Sequence, residues 1–272
     1  MSPNFRRTVA TVMVVLVATV AVACSGEGSK VAKAPEPGAA TTTTQRHALR
    51  VLVTNDDGVG APGIDAVVEA LRAVPDTEVT VVAPATNQSG TGGRTTAGTL
   101  TVTDATTASG FAAKAVAGYP ADTIIWAVDH KGIGFTPDLV VSGINLGQNV
   151  GALADISGTV GAAKAAGARG IPALAASQGI TAGASGPDFP SGVKQVLDWV
   201  AANRKALPKR VLNLNIPTCV TGSVRGVVTV PKAPQDNRKL TSVDCLSTRT
   251  TFVDDVDAFV NGYAAIAVVP AD

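Results

Sequence analysis

The sequence predicts an α/β fold, with a Rossmann-like, mostly parallel sheet and helices on both of its faces. Three observations lead there. Apolar runs such as Val51-Leu52-Val53 and Leu139-Val140-Val141 are continuous, not alternating, which is how strands buried on both faces read. Those runs take turns along the chain with segments of helical spacing. The composition, 46% hydrophobic and 16% charged over 272 residues, supplies enough apolar surface to cover both faces and excludes disorder for most of the chain.

The elements follow in order from residue 48. Residues 49–53 form a β-branched-rich strand ending at Thr54-Asn55. Ile64, Val67, Val68 and Leu71 then fall on one helical face, with Pro62 at the first turn, where its missing donor costs nothing. Residues 79–83 are a second apolar strand stopped by Pro84, and a helix opened at Pro120-Ala121-Asp122 continues to Val128. Residues 139–141 form a strand entered through Pro137-Asp138, residues 160–168 an Ala-rich helix and residues 173–175 the next strand. An amphipathic helix over 193–202 and a strand over 211–215 complete the alternation, and the rest reads as a C-terminal extension. No internal repeat stands out.

The first 47 residues stand apart from this domain of residues 48–272. Arg6 and Arg7 precede an uncharged apolar run over 9–23 that ends in small residues, Ala21-Val22-Ala23-Cys24. That is the pattern of a secretory signal over residues 1–23, too short for a comfortable spanning helix. Cys24 directly after the small residues resembles the lipobox of bacterial lipoproteins, in which that cysteine becomes the lipid-modified N-terminus; an ordinary signal with an incidental cysteine is the alternative. Residues 24–47 are Gly/Ala/Pro/Thr-rich and read as a flexible tether. An extracytoplasmic address gives Cys219 and Cys245 a meaning as a disulfide pair, with two buried free thiols as the other reading.

Composition also narrows function. Twenty-two basic against twenty-one acidic residues leave no basic footprint for nucleic acid, and 4% aromatics leave no stacking platform for single strands. Two histidines, His47 and His130, exclude multi-histidine zinc chemistry, so any metal site must be built mainly from oxygen ligands. Both histidines read as solvated surface residues.

Ligands of such sheets bind beyond the carboxyl ends of the strands. Three loops there are rich in Gly, Asn, Ser and Asp: residues 55–63, 84–93 and 142–151. Gly58, Gly60 and Gly63 formally satisfy a dinucleotide fingerprint. Two carboxylates beside a pyrophosphate argue against it, as does a second strand ending in Ala83-Pro84 instead of an acid. Adjacent Asp56 and Asp57 suit a divalent cation, which attracts phosphate; a helix-capping turn at Asp57 is the competing reading. No Walker sequence and no G-x-S-x-G elbow exists.

Asn55-Asp56-Asp57-Gly58 with Ala61-Pro62-Gly63, Ala83-Pro84 with Asn87-Gln88-Ser89-Gly90, and Gly118-Tyr119-Pro120-Ala121-Asp122 together resemble the SurE survival-protein nucleotidases. The resemblance continues through residues 137–145, Gly147, Asn149, Gly151, Ser157-Gly158-Thr159-Val160 and residues 171–175 to the chain's end. It implies a phosphohydrolase of nucleoside 5′- and 3′-monophosphates that depends on Mg²⁺ or Mn²⁺. Asp56, Asp57, Ser89 and Asn145 are implied as metal ligands, with the two aspartates catalytic. Gly90, Asn149, Ser157, Gly158 and Thr159 are assigned to the substrate phosphate, the last three at a helix start whose amides favour an anion. The resemblance further implies a homodimer or homotetramer exchanging its C-terminal region. A lipid-anchored nucleotide- or solute-binding module with a degenerate site is the alternative function. No nucleic-acid polymer is expected as a partner, and the membrane is reached through the lipid alone.

Overall fold

β1 (Leu49–Thr54) runs straight through the middle of the molecule, with Val51, Leu52 and Val53 wholly buried. In this computed structural model residues 47–235 and 239–271 are described; the expected signal, the tether up to residue 46 and Cys24 lie outside them. α1 (Pro62–Arg72) follows, buries Ile64, Val67, Val68 and Leu71 and returns the chain to β2 (Thr77–Pro84). The spacing of those four side chains places them on one stripe, and Pro62 stands at the helix start. β3 (Thr101–Thr106) and β4 (Ala112–Ala117) come next. α2 (Pro120–Ile124) passes into a wider π-helical turn over Ile125–Asp129, so the helix expected to reach Val128 changes its winding halfway.

β5 (Leu139–Leu146), α3 (Leu153–Ile156), α4 (Gly158–Gly167), β6 (Ala173–Gln178), α5 (Phe189–Asn203) and β7 (Val211–Ile216) continue the α/β alternation. β8 (Val227–Thr229), α6 (Asp255–Val260) and β9 (Ala264–Val269) end the chain. The strands form one sheet in the order β3-β4-β2-β1-β5-β6-β7-β9-β8. All pairings are parallel except β3 with β4 and β7 with β9. The C-terminal segment thus joins the sheet as a regular member.

Two cores cover the faces. Val51, Val53, Leu139 and Val141 pack under α1 and α5, while Leu52, Val140, Ala173 and Ala175 pack under α2 and α4. α4 approaches the sheet through Ala162, Ala163 and Ala166, small side chains that let helix and sheet backbones come close. Cys219 and Cys245 are joined in a disulfide across a separation of 26 residues, pinning the segment between β7 and α6. His47 and His130 are both exposed.

Candidate active site

β1, β2 and β5 deliver the three polar loops to the same edge of the sheet. The first loop turns on itself because Asn55 Nδ2 donates to the Gly58 carbonyl at 2.8 Å, and Gly58 sits at φ +103°, open to glycine. A Cβ there would also press on the Thr86 backbone at 3.3 Å, so the first loop lies against the second. Backbone bonds stitch the two loops further: Val59 N–H donates to Pro84 O at 2.9 Å and Gln88 N–H to Asp56 O at 2.6 Å. The third loop leaves β5 through an irregular register between Ser142 and Asn145. Such an irregularity re-aims the side chains after it. Gly143 makes it possible, since a Cβ there would stand 2.3 Å from the Ala176 carbonyl oxygen.

The carboxylates occupy different surroundings. Asp56 is 2% exposed and its Oδ1 accepts from Thr159 Oγ1 at 2.7 Å. Burial raises its pKa, while the Thr159 hydroxyl and the Thr159 and Gly158 amides oppose the rise. The N-terminus of α4 therefore faces a carboxylate of the protein itself. Gly158 is glycine for the same reason: a Cβ would stand 2.8 Å from Asp56 Cβ. Asp57 is half-buried; its Oδ2 accepts from Leu146 N–H at 3.0 Å and its Oδ1 from Asn87 Nδ2 at 3.4 Å. Burial, with the charge of Asp56 adding to it, pushes Asp57 up to about 6. Asp57 caps no helix, because the N-cap of α1 is Ala61, which offers no side-chain bond.

The remaining expected ligands stand on the stitched loops. Ser89 is exposed, and its amide is fixed by Asn87 Oδ1 at 3.0 Å. Asn145 is 7% exposed and donates Nδ2 to the Gly147 carbonyl at 2.7 Å, which leaves its Oδ1 as the free end of the amide. Two carboxylates that burial makes harder to ionise, beside a hydroxyl and an amide oxygen, make a donor set for a hard divalent cation. Among the described residues no group of three or more His, Cys, Asp or Glu is placed to hold a metal ion, so the neutral oxygens are needed to complete a site.

The residues assigned to phosphate are placed less uniformly. Ser157 caps α4, its Oγ accepting from Val160 N–H at 3.2 Å, and it borders a cavity of about 330 Å³ with Gly93 and Lys164. Thr159 is engaged with Asp56 rather than directed at open space. Asn149 binds the strand ends: its amide donates to Asn215 Oδ1 at 2.6 Å, its Nδ2 to Ser177 Oγ at 2.9 Å, and its carbonyl accepts from Asn213 at 2.8 Å. Gly90 lies in the exposed turn after Ser89 at φ +76°. The reading from sequence missed the Thr159–Asp56 contact, for which no periodicity or spacing signal exists. It also missed Asp122, whose carboxylate collects Thr96 N–H at 3.0 Å and Tyr119 N–H at 2.8 Å and so ties the far end of the second loop to α2.

Known proteins are similar to this chain in sequence and in fold. The 5′-nucleotidase SurE of Methanopyrus kandleri is 42% identical over 62% of this chain and 66% of its own length. Its namesake from Azorhizobium caulinodans is 37% identical over 72% of this chain and 76% of its own. A crystal structure of the SurE protein from Aquifex aeolicus matches with a TM-score of 0.67 at 28% identity, covering 82% of this chain and 94% of that one. The family model described as Survival protein SurE matches residues 51–239, a span that contains all three loops and the start of α4. By its sheet, its paired carboxylates and these matches, the chain belongs to the SurE family.

Proposed function

We propose that this protein is a divalent-metal-dependent 5′-nucleotidase that releases phosphate from nucleoside monophosphates, with 3′-monophosphates as further substrates. The observation that carries the reading is the pair Asp56 and Asp57, held at one sheet edge with both pKa values raised by burial. The names of the relatives point the same way. Asp56, Asp57, Ser89 and Asn145 would hold Mg²⁺ or Mn²⁺, which supplies positive charge to polarise the phosphoryl oxygens. Thr159 and the amides of Gly158 and Thr159 favour the ionised form of Asp56 against the effect of burial and hold it in one orientation. The Leu146 amide and Asn87 orient Asp57 by donating to its two oxygens. Ser157 and the turn at Gly90 offer donors to the substrate phosphate. A pure binding module would not need both carboxylates, and nothing in the site favours that alternative.

The reading includes an extracytoplasmic, lipid-anchored address through Cys24, supported by the leader pattern and the Cys219–Cys245 disulfide. It also includes self-association, supported by Leu246 and Val253 standing 65% and 70% exposed near the C-terminus. The central test is release of phosphate from nucleoside 5′-monophosphates by the purified protein with Mg²⁺ or Mn²⁺. Turnover abolished by chelator and restored by metal is expected; turnover indifferent to chelator would overturn the metal dependence.

A further inference from the structure

Beside Asp57 a cavity of about 430 Å³ opens between the first loop, Leu146 and the start of α5. Asp57 is the one charged residue in its lining; Pro62, Leu146 and Phe189 supply large apolar walls, and Asn87 and Thr86 add polar edges. Concave apolar walls with a few polar groups at one end suit a flat heteroaromatic ligand. The Phe189 ring is seated firmly, its Cε1 lying 3.0 Å from where a Cβ on Gly63 would stand.

Three glycines line this cavity and only one is free to change. Gly58 needs its positive φ, and a Cβ on Gly63 would collide with the Ile144 carbonyl oxygen at 1.9 Å. Gly60 has neither constraint: its φ lies outside the left-handed region and nothing stands within 4 Å of its Cβ position. Neither backbone nor packing demands glycine there, so the effect of glycine is on the space itself.

We propose that this cavity is the leaving-group subsite, which receives the nucleobase against Phe189 and Leu146, and that Gly60 sets its width. The proposal rests on the phosphohydrolase reading for its substrate class. It places the scissile phosphate beside Asp57 and the base against the Phe189 ring.

The test compares kcat/KM for AMP with kcat/KM for methyl phosphate, an ester with no base to place, in wild type, Gly60→Trp and Phe189→Ala. Filling the cavity at Gly60 is expected to lower the AMP to methyl phosphate ratio about tenfold or more, and removing the Phe189 wall to lower it in the same direction. Ratios unchanged in both variants would overturn the subsite while leaving the phosphohydrolase reading intact. Calorimetry with adenosine reads the subsite without turnover: binding by the wild type that is lost in Gly60→Trp supports it, and no binding by the wild type overturns it. Adenosine bound by a protein that hydrolyses neither ester would overturn the phosphohydrolase reading and leave the nucleoside subsite standing.

Discussion

Asp56 and Asp57 are neighbours in sequence, both raised by burial but met by different donors, and that difference sets what each substitution does. Asp56 is held by donors, so Thr159→Val removes a hydrogen bond to a charged group at nearly constant volume. Such a loss costs about 1.5–3 kcal/mol, or about 10- to 150-fold in kcat/KM. Because the hydroxyl stabilises the ionised form of Asp56, its removal raises that pKa further. The acidic limb of the pH–rate profile should then move to higher pH. A uniform loss with an unmoved limb would mean that Thr159 serves the substrate phosphate directly. Asp57 is governed by burial and by repulsion from Asp56, which place its pKa at about 6 against an ordinary 3.8. The folded chain then holds this proton more tightly than the unfolded chain. Asp57 therefore contributes stability below its unfolded pKa that is lost as pH rises through about 6. In chelator, the Tm advantage of Asp57→Asn over wild type should grow between about pH 4 and about pH 7. Mn²⁺ should raise the Tm of wild type and not of the variant, since a ligand that binds only the folded state stabilises it by mass action. Equal Mn²⁺ affinity in both, measured by calorimetry, would remove Asp57 from the metal site.

Elements bring these residues together through backbone contacts that only glycine permits. A Cβ at Gly161 on α4 would stand 2.0 Å from the carbonyl oxygen of Gly92, so the helix rests directly on the second loop. Gly161→Ala should push that loop, and with it Ser89, away from Asp56 and Asp57. A cost of about 1–3 kcal/mol in stability and a fall in kcat/KM are expected. Gly93→Ala on the same loop should change neither, because nothing lies within 4 Å of its Cβ position. Similar Tm and kcat/KM in the two variants would show that the close approach is immaterial. These contacts also mark where sequence stops informing. The long apolar strands β1, β2, β5, β6 and β7 announce themselves because both of their faces are buried. β3 does not: Thr101–Thr106 is mostly exposed and mixes Thr with Asp and small residues, as an edge strand does. β4 is built mainly of alanine, and β8 has only three residues, so neither carries a hydrophobic signature. The loops that carry Asp56, Asp57, Ser89 and Asn145 were legible, since Gly, Asn and Asp cluster there for turn-chemical reasons, whereas the choice of those four as ligands is what the family resemblance implies. The Thr159–Asp56 bond joins residues 103 apart and depends on how α4 docks on the sheet, which no local pattern encodes.

At the scale of the molecule, the proposed extracytoplasmic address rests on two features that share no residues. Residues 1–24 carry the basic, apolar and small-residue succession of an exported lipoprotein. The disulfide between Cys219 and Cys245 independently suits an oxidising environment, where such bonds persist. Among the described residues no helix is long and apolar enough to cross a membrane. On the proposed address, the N-terminal segment would supply membrane association, either through an acyl anchor on Cys24 or through an uncleaved apolar leader. The two differ in what they need from the cysteine, because only acylation uses its thiol. In a bacterial host the full-length protein should sediment with membranes, with the Cys219–Cys245 bond formed on non-reducing gels. Cys24→Ser should release it into the soluble extracytoplasmic fraction, still folded, since Gln45–Asp272 form a compact unit that does not include it. Membrane retention of that variant would identify a signal anchor in place of the lipid. A wild-type protein found soluble and reduced in the cytoplasm would overturn the extracytoplasmic address altogether.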